Sequence, residues 1–255
     1  MQKLATALLL CAGYGTRMGR LGQEKPKPLL QVAGRPLIDY LMEQIARLEG
    51  ISAIHLVSNH RFLERFLEWA GPWRERLAGK GIALAVHDDG SRTSDERPGA
   101  VADLALLNRE AGRPEGALVA AGDNLFLFPL APMWRAFRRQ GRNLVLAVPE
   151  TDRAELRRSA VPELGADDRV RLLHRKPAVP PSSWAVPALY CLTRSGLARV
   201  EEYLSQGGPR DELGDFIAFL APRLPVYAFK VQGRRLHIGS REALRRANEA
   251  LARDS

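Results

Sequence analysis

The chain has 255 residues, 45% of them apolar, enough to bury a substantial core as one large α/β domain or one domain with a modest appendage. No apolar run reaches the roughly 20 residues of a spanning helix, and residues 1–12 lack the charged flank and cleavage site of a signal peptide, so no membrane association and a cytoplasmic location are expected. The formal charge of +9 comes from 32 Arg and 6 Lys against 29 acidic residues; the arginines are scattered over helix faces, as at Arg135, Arg138, Arg139 and Arg142, without the interleaved aromatics of a single-strand binder, which argues for solvated surface and against a nucleic-acid partner.

In chain order, short apolar runs alternate with helical periods, the pattern of a layered sheet with helices on its faces. Residues 5–11 read as a buried strand. Directly after it, Gly13 and Gly15 flank Tyr14, and residues without Cβ let backbone N–H groups approach an anion. Neither common phosphate motif is present: Met18 stands where the third glycine of G-x-G-x-x-G belongs, and no G-K-[ST] follows. Two cations come next. Arg17 offers a planar fork for phosphate, and Lys27 is a point charge stiffened between Pro26 and Pro28. Either alone reads as a solvated basic loop; their combined spacing favours a phosphate site.

A helix is expected over 36–48, opened by Pro36 in its first turn, then a strand over 54–58, a helix over 61–69 and a strand over 82–87. A helix at 101–110 leads to a strand at 117–121, whose end carries Gly122-Asp123-Asn124. That triplet reads either as a turn or as a carboxylate presented where open α/β sheets bind ligands. Helix 131–139, strand 144–149 and strand 170–174 follow. Residues 176–183, with three prolines, are expected to be irregular and to cross the surface near a site. The remainder reads as strand 186–192, helices 193–203 and 212–220, strand 225–231 and helix 241–252. Cys11 and Cys191 lie in apolar, strand-like surroundings and are expected to be buried free thiols. No internal repeat is present.

The segment Ala12-Gly13-Tyr14-Gly15-Thr16-Arg17-Met18, followed nine residues later by Lys27-Pro28-Leu29, resembles the signature of the sugar-phosphate nucleotidyltransferases. Asp89-Gly90 with Ser94, Glu96 and Arg97, then Gly99 to Leu104, resembles the base-recognition stretch of their glucose-1-phosphate thymidylyl- and uridylyltransferase branch. Val119 to Phe126, with Gly122-Asp123-Asn124, resembles its metal-binding turn. Lys176-Pro177, Ala188-Leu189-Tyr190, Glu202-Tyr203-Leu204 with Asp211, and Ile238-Gly239 extend the likeness over almost the whole chain.

The resemblance implies a Rossmann-like three-layer α/β/α nucleotidyltransferase fold with a mixed, mostly parallel central sheet. It implies a single domain over 1–255, with the acceptor half mainly in 150–240. The implied reaction moves a nucleoside monophosphate from dTTP or UTP to a sugar 1-phosphate, glucose 1-phosphate foremost, and releases pyrophosphate. Arg17 would bind the leaving pyrophosphate, Lys27 the α-phosphate and the attacking phosphate, and Asp123 a Mg²⁺ ion. Ala12, Gly13, Gly15, Thr16, Gly99 and Asp103 would bind the nucleotide, and Lys176 the sugar-linked phosphate. The family also leaves a homo-oligomer open.

Three positions depart from the family pattern, all on the acceptor side. The family's Asp-Ile-Gly, whose aspartate is the second metal ligand, is here His237-Ile238-Gly239, and an imidazole replaces a hard oxygen where Mg²⁺ prefers oxygen. His237 also reads simply as a partly buried histidine near a strand end. Arg175 precedes Lys176 where Glu is common, and Pro187-Ala188 replaces Thr-Gly or Asn-Gly. Two further readings therefore stand: the same fold with another acceptor, such as a phosphocholine-type cytidylyltransferase, and a catalytically weak nucleotide-binding paralogue.

Overall fold

The first strand, Ala5–Leu10, is buried at every residue because it lies inside a sheet covered on both faces. The computed structural model describes residues 5–253. Its centre is an eight-stranded sheet in which the strands run, from one edge, Ala83–Asp88, Ile51–Ser58, Ala5–Leu10, Gly116–Ala121, Leu189–Thr193, Asn143–Pro149 and Val226–Lys230. A short piece, Trp184–Ala185, adds to Asn143–Pro149. Leu189–Thr193 runs antiparallel to both neighbours, while the other long strands share one direction. The sheet is thus mixed and mostly parallel.

Side chains alternate across the strands, so each face has its own core. Ala7, Leu9, Ile54 and Leu56 pack with residues of helices Leu37–Ile45, Leu63–Ala78 and Ala131–Gln140. Leu8, Leu10, Val57 and Val119 pack on the opposite face with residues of helices Ala100–Glu110, Arg194–Ser205 and Leu213–Leu220. This is the α/β/α layering expected. From Ala5–Leu10 the chain builds outward to Ala83–Asp88, then returns through helix Ala100–Glu110 to Gly116–Ala121 on the first strand's other side. The connections change direction between these two strands, and it is beyond the carboxyl ends of strands at such a reversal that open α/β sheets bind ligands.

Several elements differ from expectation. The helix expected to end at 69 runs on as Leu63–Ala78 through Pro72, because Trp73 and Leu77 are buried beyond the proline and hold the last turns down. The strand expected at 170–174 forms as Val170–Arg175, outside the central sheet, in a ribbon with Ala160–Leu164. The strand expected from 186 starts at Leu189. Residues 176–183 are irregular as expected, with Val179 79% exposed. A second ribbon, Asn124–Phe126 with Arg235–His237, has no counterpart in the sequence reading. A small core of Val32, Leu37, Leu125, Ile238 and Ala247 anchors it and the C-terminal helix Arg241–Arg253.

Candidate active site

The glycine loop leaves the sheet pinned at its start. The Cys11 N–H donates to Val57 O (3.0 Å), and the Ala12 carbonyl accepts from buried Asn59 Nδ2 (2.8 Å). Gly13 is exposed, and a Cβ placed there would touch nothing within 4 Å, so its backbone faces open space. Gly15, at φ +63°, turns the chain into a short 3-10 helix, Thr16–Met18. Met18 is buried, leaving Thr16 and Arg17 exposed beside the open loop. The C-terminal helix braces the turn, since Arg241 Nε donates to Met18 O (2.9 Å). Lys27 opens another 3-10 turn, Lys27–Leu29, fixed by its buried neighbours Pro28 and Leu29.

Gly122 is where these pieces meet. Its N–H donates to Leu10 O (3.0 Å), and a Cβ would lie 2.6 Å from Cys11 Sγ and 3.0 Å from Pro28 Cγ. Only glycine lets the end of strand Gly116–Ala121 come that close to both the first strand's exit and the lysine turn.

Asp123 follows directly. Its side chain is 26% exposed, with Oδ2 3.2 Å from His237 Nε2 and Oδ1 accepting from Asn124 Nδ2 (2.9 Å). Asn124 Oδ1 in turn accepts from Arg235 Nη1 (3.0 Å). Burial pushes the Asp123 carboxyl up, but the His237 contact and the charges of Lys27 and Arg235 outweigh it and hold the group below its ordinary value. Lys27 is pulled down by burial and by Arg17, while Asp123 favours its ammonium. Arg17, Lys27 and Asp123 therefore form one electrostatic group beyond the carboxyl ends of strands Ala5–Leu10 and Gly116–Ala121.

Gly99, at φ +96°, caps helix Ala100–Glu110, and a Cβ there would lie 2.5 Å from Arg210 O. Val101 N–H donates to that same oxygen (2.9 Å), so this stretch is fastened to the second half of the chain. Asp103, in the helix's first turn, is 6% exposed and its Oδ1 has no hydrogen-bond partner. Burial, then the charge of Asp89, pushes its carboxyl up to about 8. Asp89 Oδ1 accepts from Ser91 N and Oγ (both 2.7 Å), and Ser91 Oγ meets Tyr14 OH at 3.0 Å, which ties the glycine loop to this side.

Lys176 stands apart. Its Nζ donates to Glu212 Oε1 (2.6 Å), and Glu212 also pairs with Arg175, whose Nε donates to Asp215 Oδ1 (2.9 Å). Among the described residues no hydrogen bond or ion pair joins Lys176 to the Asp123 group.

The donor set around Asp123 does not match Mg²⁺, which takes near-octahedral oxygen ligands. The protein offers one carboxylate and one imidazole, with Lys27 and Arg235 beside them. Among the described residues, no group of three or more His, Cys, Asp or Glu side chains is placed to hold a metal ion. Glu242, the next carboxylate in the chain, is engaged by Arg246 on the C-terminal helix.

Arg235 and Asn59 had no part in the sequence reading. Arg235 lies two residues before His237 on one strand, so the period of two puts both on one face. Asn59, directly after a strand and accepting from Phe62 N (3.0 Å), carries the signal of a helix cap.

A family profile described as Nucleotidyl transferase matches residues 6–254. Among solved structures, a protein assigned as a glucose-1-phosphate thymidylyltransferase from Bacillus anthracis, crystallised with sucrose, matches with a TM-score of 0.82 at 23% identity, over 98% of this chain and 96% of that one. A UDP-glucose pyrophosphorylase complexed with UDP-glucose matches at 0.79 and 20% identity, over 99% and 100%. A UTP-bound UGPase from Acinetobacter baumannii matches at 0.77 and 19% identity, over 99% and 94%. At these identities the likeness establishes a common fold across the full length.

Proposed function

Because this chain belongs to the nucleotidyl transferase family, we propose that it transfers a nucleoside monophosphate from dTTP or UTP to a sugar 1-phosphate, with glucose 1-phosphate as the favoured acceptor. One observation carries the reading: Arg17, Lys27 and Asp123 form a single charged group at the carboxyl ends of strands Ala5–Leu10 and Gly116–Ala121, beside an open glycine loop. The names of the solved relatives, a thymidylyltransferase and UDP-glucose pyrophosphorylases, support the same substrates.

In the reaction, an oxygen of the acceptor phosphate attacks the α-phosphorus of the triphosphate. The bond from that phosphorus to the bridging oxygen breaks, and its electron pair leaves with pyrophosphate. Most of the catalysis is positioning and neutralising charge. Exposed Arg17 clamps the departing pyrophosphate. Lys27, held by its proline-flanked turn, stays beside the α-phosphate, and Asp123 keeps it charged and aimed. Ala12, Gly13, Gly15 and Thr16 line the triphosphate path, with Gly99 and Asp103 on the base side. Lys176 exchanges Glu212 for the acceptor phosphate when the sugar binds. The whole chain acts as one catalytic unit with its acceptor half in 150–240, working in the cytoplasm.

A second reading keeps the chemistry and changes the acceptor. The engagement of Arg175 and Lys176 by Glu212 and Asp215 favours it, since this half of the site carries an arrangement the sequence likeness does not imply. Pyrophosphate release across a panel of triphosphates and acceptor phosphates separates the two. Release with dTTP or UTP plus glucose 1-phosphate supports the first; release confined to CTP plus phosphocholine supports the second; triphosphate binding with no release on any acceptor contradicts both.

A further inference from the structure

Arg97 and Asp211 belong to stretches that carry the family likeness, yet neither has a task in the transfer reaction. They meet each other. Arg97 Nε and Nη2 donate to the two carboxylate oxygens of Asp211 (3.2 Å each), a fork-to-fork contact across distant parts of the chain, and Nη1 donates to Ser94 O (2.8 Å). The side chains are 47% and 62% exposed, and an isolated pair of that kind adds little to stability, so its effect lies in where it holds the two segments.

Three consecutive residues make separate attachments here. The Arg210 carbonyl accepts from Val101 N–H (2.9 Å) at the start of helix Ala100–Glu110. Asp211 takes the Arg97 fork. Glu212 then reaches the acceptor half, where Oε1 accepts from Lys176 Nζ (2.6 Å) and Oε2 pairs with Arg175. Both ends of the segment are fixed: Tyr203 OH donates to Pro209 O (2.7 Å) before it, and helix Leu213–Leu220 follows it with Leu213, Phe216 and Ile217 buried.

Lys176 itself sits at φ +49°, a conformation that side chains rarely adopt. Such a backbone persists where its surroundings over-determine it, and Lys176 is held by its N–H, which donates to Ser159 O (3.0 Å), and by Glu212. A carboxylate on a short segment anchored at both ends meets its cation at high effective concentration, so an incoming phosphate must displace it. Resting on the nucleotidyl-transfer reading above, which gives Lys176 to the acceptor phosphate, we propose that Arg97 is a positioning residue for acceptor binding: through Asp211 it fixes Glu212 on Lys176 as a built-in competitor. A residue of the stretch that resembles the base-recognition segment thereby sets how strongly the acceptor half holds a phosphate, through contacts that never include Lys176 itself.

The test uses the full chain, labelled with ¹³C at lysine Cε, and inorganic phosphate as the probe. The Lys176 NMR signal, identified by its loss in Lys176→Arg, is followed as phosphate is added. Arg97→Gln and Asp211→Asn should each lower the half-saturating phosphate concentration at Lys176 about threefold, and Glu212→Gln about tenfold or more, while the Lys27 signal responds as in the unsubstituted chain. Adding Arg97→Gln to Glu212→Gln should bring no further change, because Arg97 acts only through that carboxylate. A Lys176 signal that phosphate never moves, unchanged half-saturation in Arg97→Gln and Asp211→Asn, or an effect of Arg97→Gln that persists in the Glu212→Gln chain overturns the proposal. Asp211→Asn, which keeps the side-chain shape, decides the case if Arg97→Gln disturbs the fold. Because phosphate binding is read without nucleotide or turnover, this result and that of the substrate screen are obtained independently.

Discussion

Burial and Arg17 both work against a charged Lys27, and Asp123 opposes them; the three side chains only make sense together. Asp103 makes the contrasting case of a carboxyl held neutral. Its folded-state value of about 8 against an ordinary 3.8 means that the folded protein keeps a proton the unfolded chain gives up between those values. Its contribution to stability therefore falls as pH rises from about 4 to about 8 and levels off above that. Thermal melts across this interval should show a declining Tm, and Asp103→Asn, which cannot ionise, should flatten the decline. An equally steep decline in Asp103→Asn would contradict the assignment.

At the level of elements, Gly122 joins strand Gly116–Ala121 to the lysine turn. Gly122→Ala should cost about 1–3 kcal/mol, read as a lowered denaturation midpoint, because a Cβ would overlap Cys11 and Pro28. Pro72 lies inside a helix and removes an intrahelical donor, so Pro72→Ala should raise stability by about 1–3 kcal/mol in the same measurement. These positions also mark how far the sequence could be read. The buried strands at 5–10 and 116–121 were legible because continuous apolar runs leave little alternative. The helix beyond 69 was not, since a local breaker rule was overridden by burial of Trp73 and Leu77. The Asn124–Phe126 and Arg235–His237 ribbon consists of three-residue pieces far apart in sequence, too short for any periodicity to register. Arg17, Lys27 and Asp123 could be named as candidates because a loop motif and a strand end are local features; the Glu212 bridge to Arg175 and Lys176 is a long-range pairing with no local signal.

Over the whole molecule, several of the arginines are engaged in contacts along the surface. Arg138 donates to Glu49 O (3.0 Å), Arg142 stacks on Tyr227, and Arg245 and Arg246 pair along the C-terminal helix. Among the described residues no helix is long and apolar enough to cross a membrane. In the proposed reading the working charge is the group of Arg17, Lys27 and Asp123 where the connections reverse between strands Ala5–Leu10 and Gly116–Ala121, and the fold contributes by holding Lys27 there. The most direct test measures pyrophosphate release with UTP or dTTP and glucose 1-phosphate alongside triphosphate affinity, for the unsubstituted chain and for Lys27→Met. The account predicts that Lys27→Met lowers kcat by about 10²–10³-fold while the triphosphate still binds, since a preorganised charge acts mainly on the transition state. A Lys27→Met chain that turns over as fast as the unsubstituted one would contradict it.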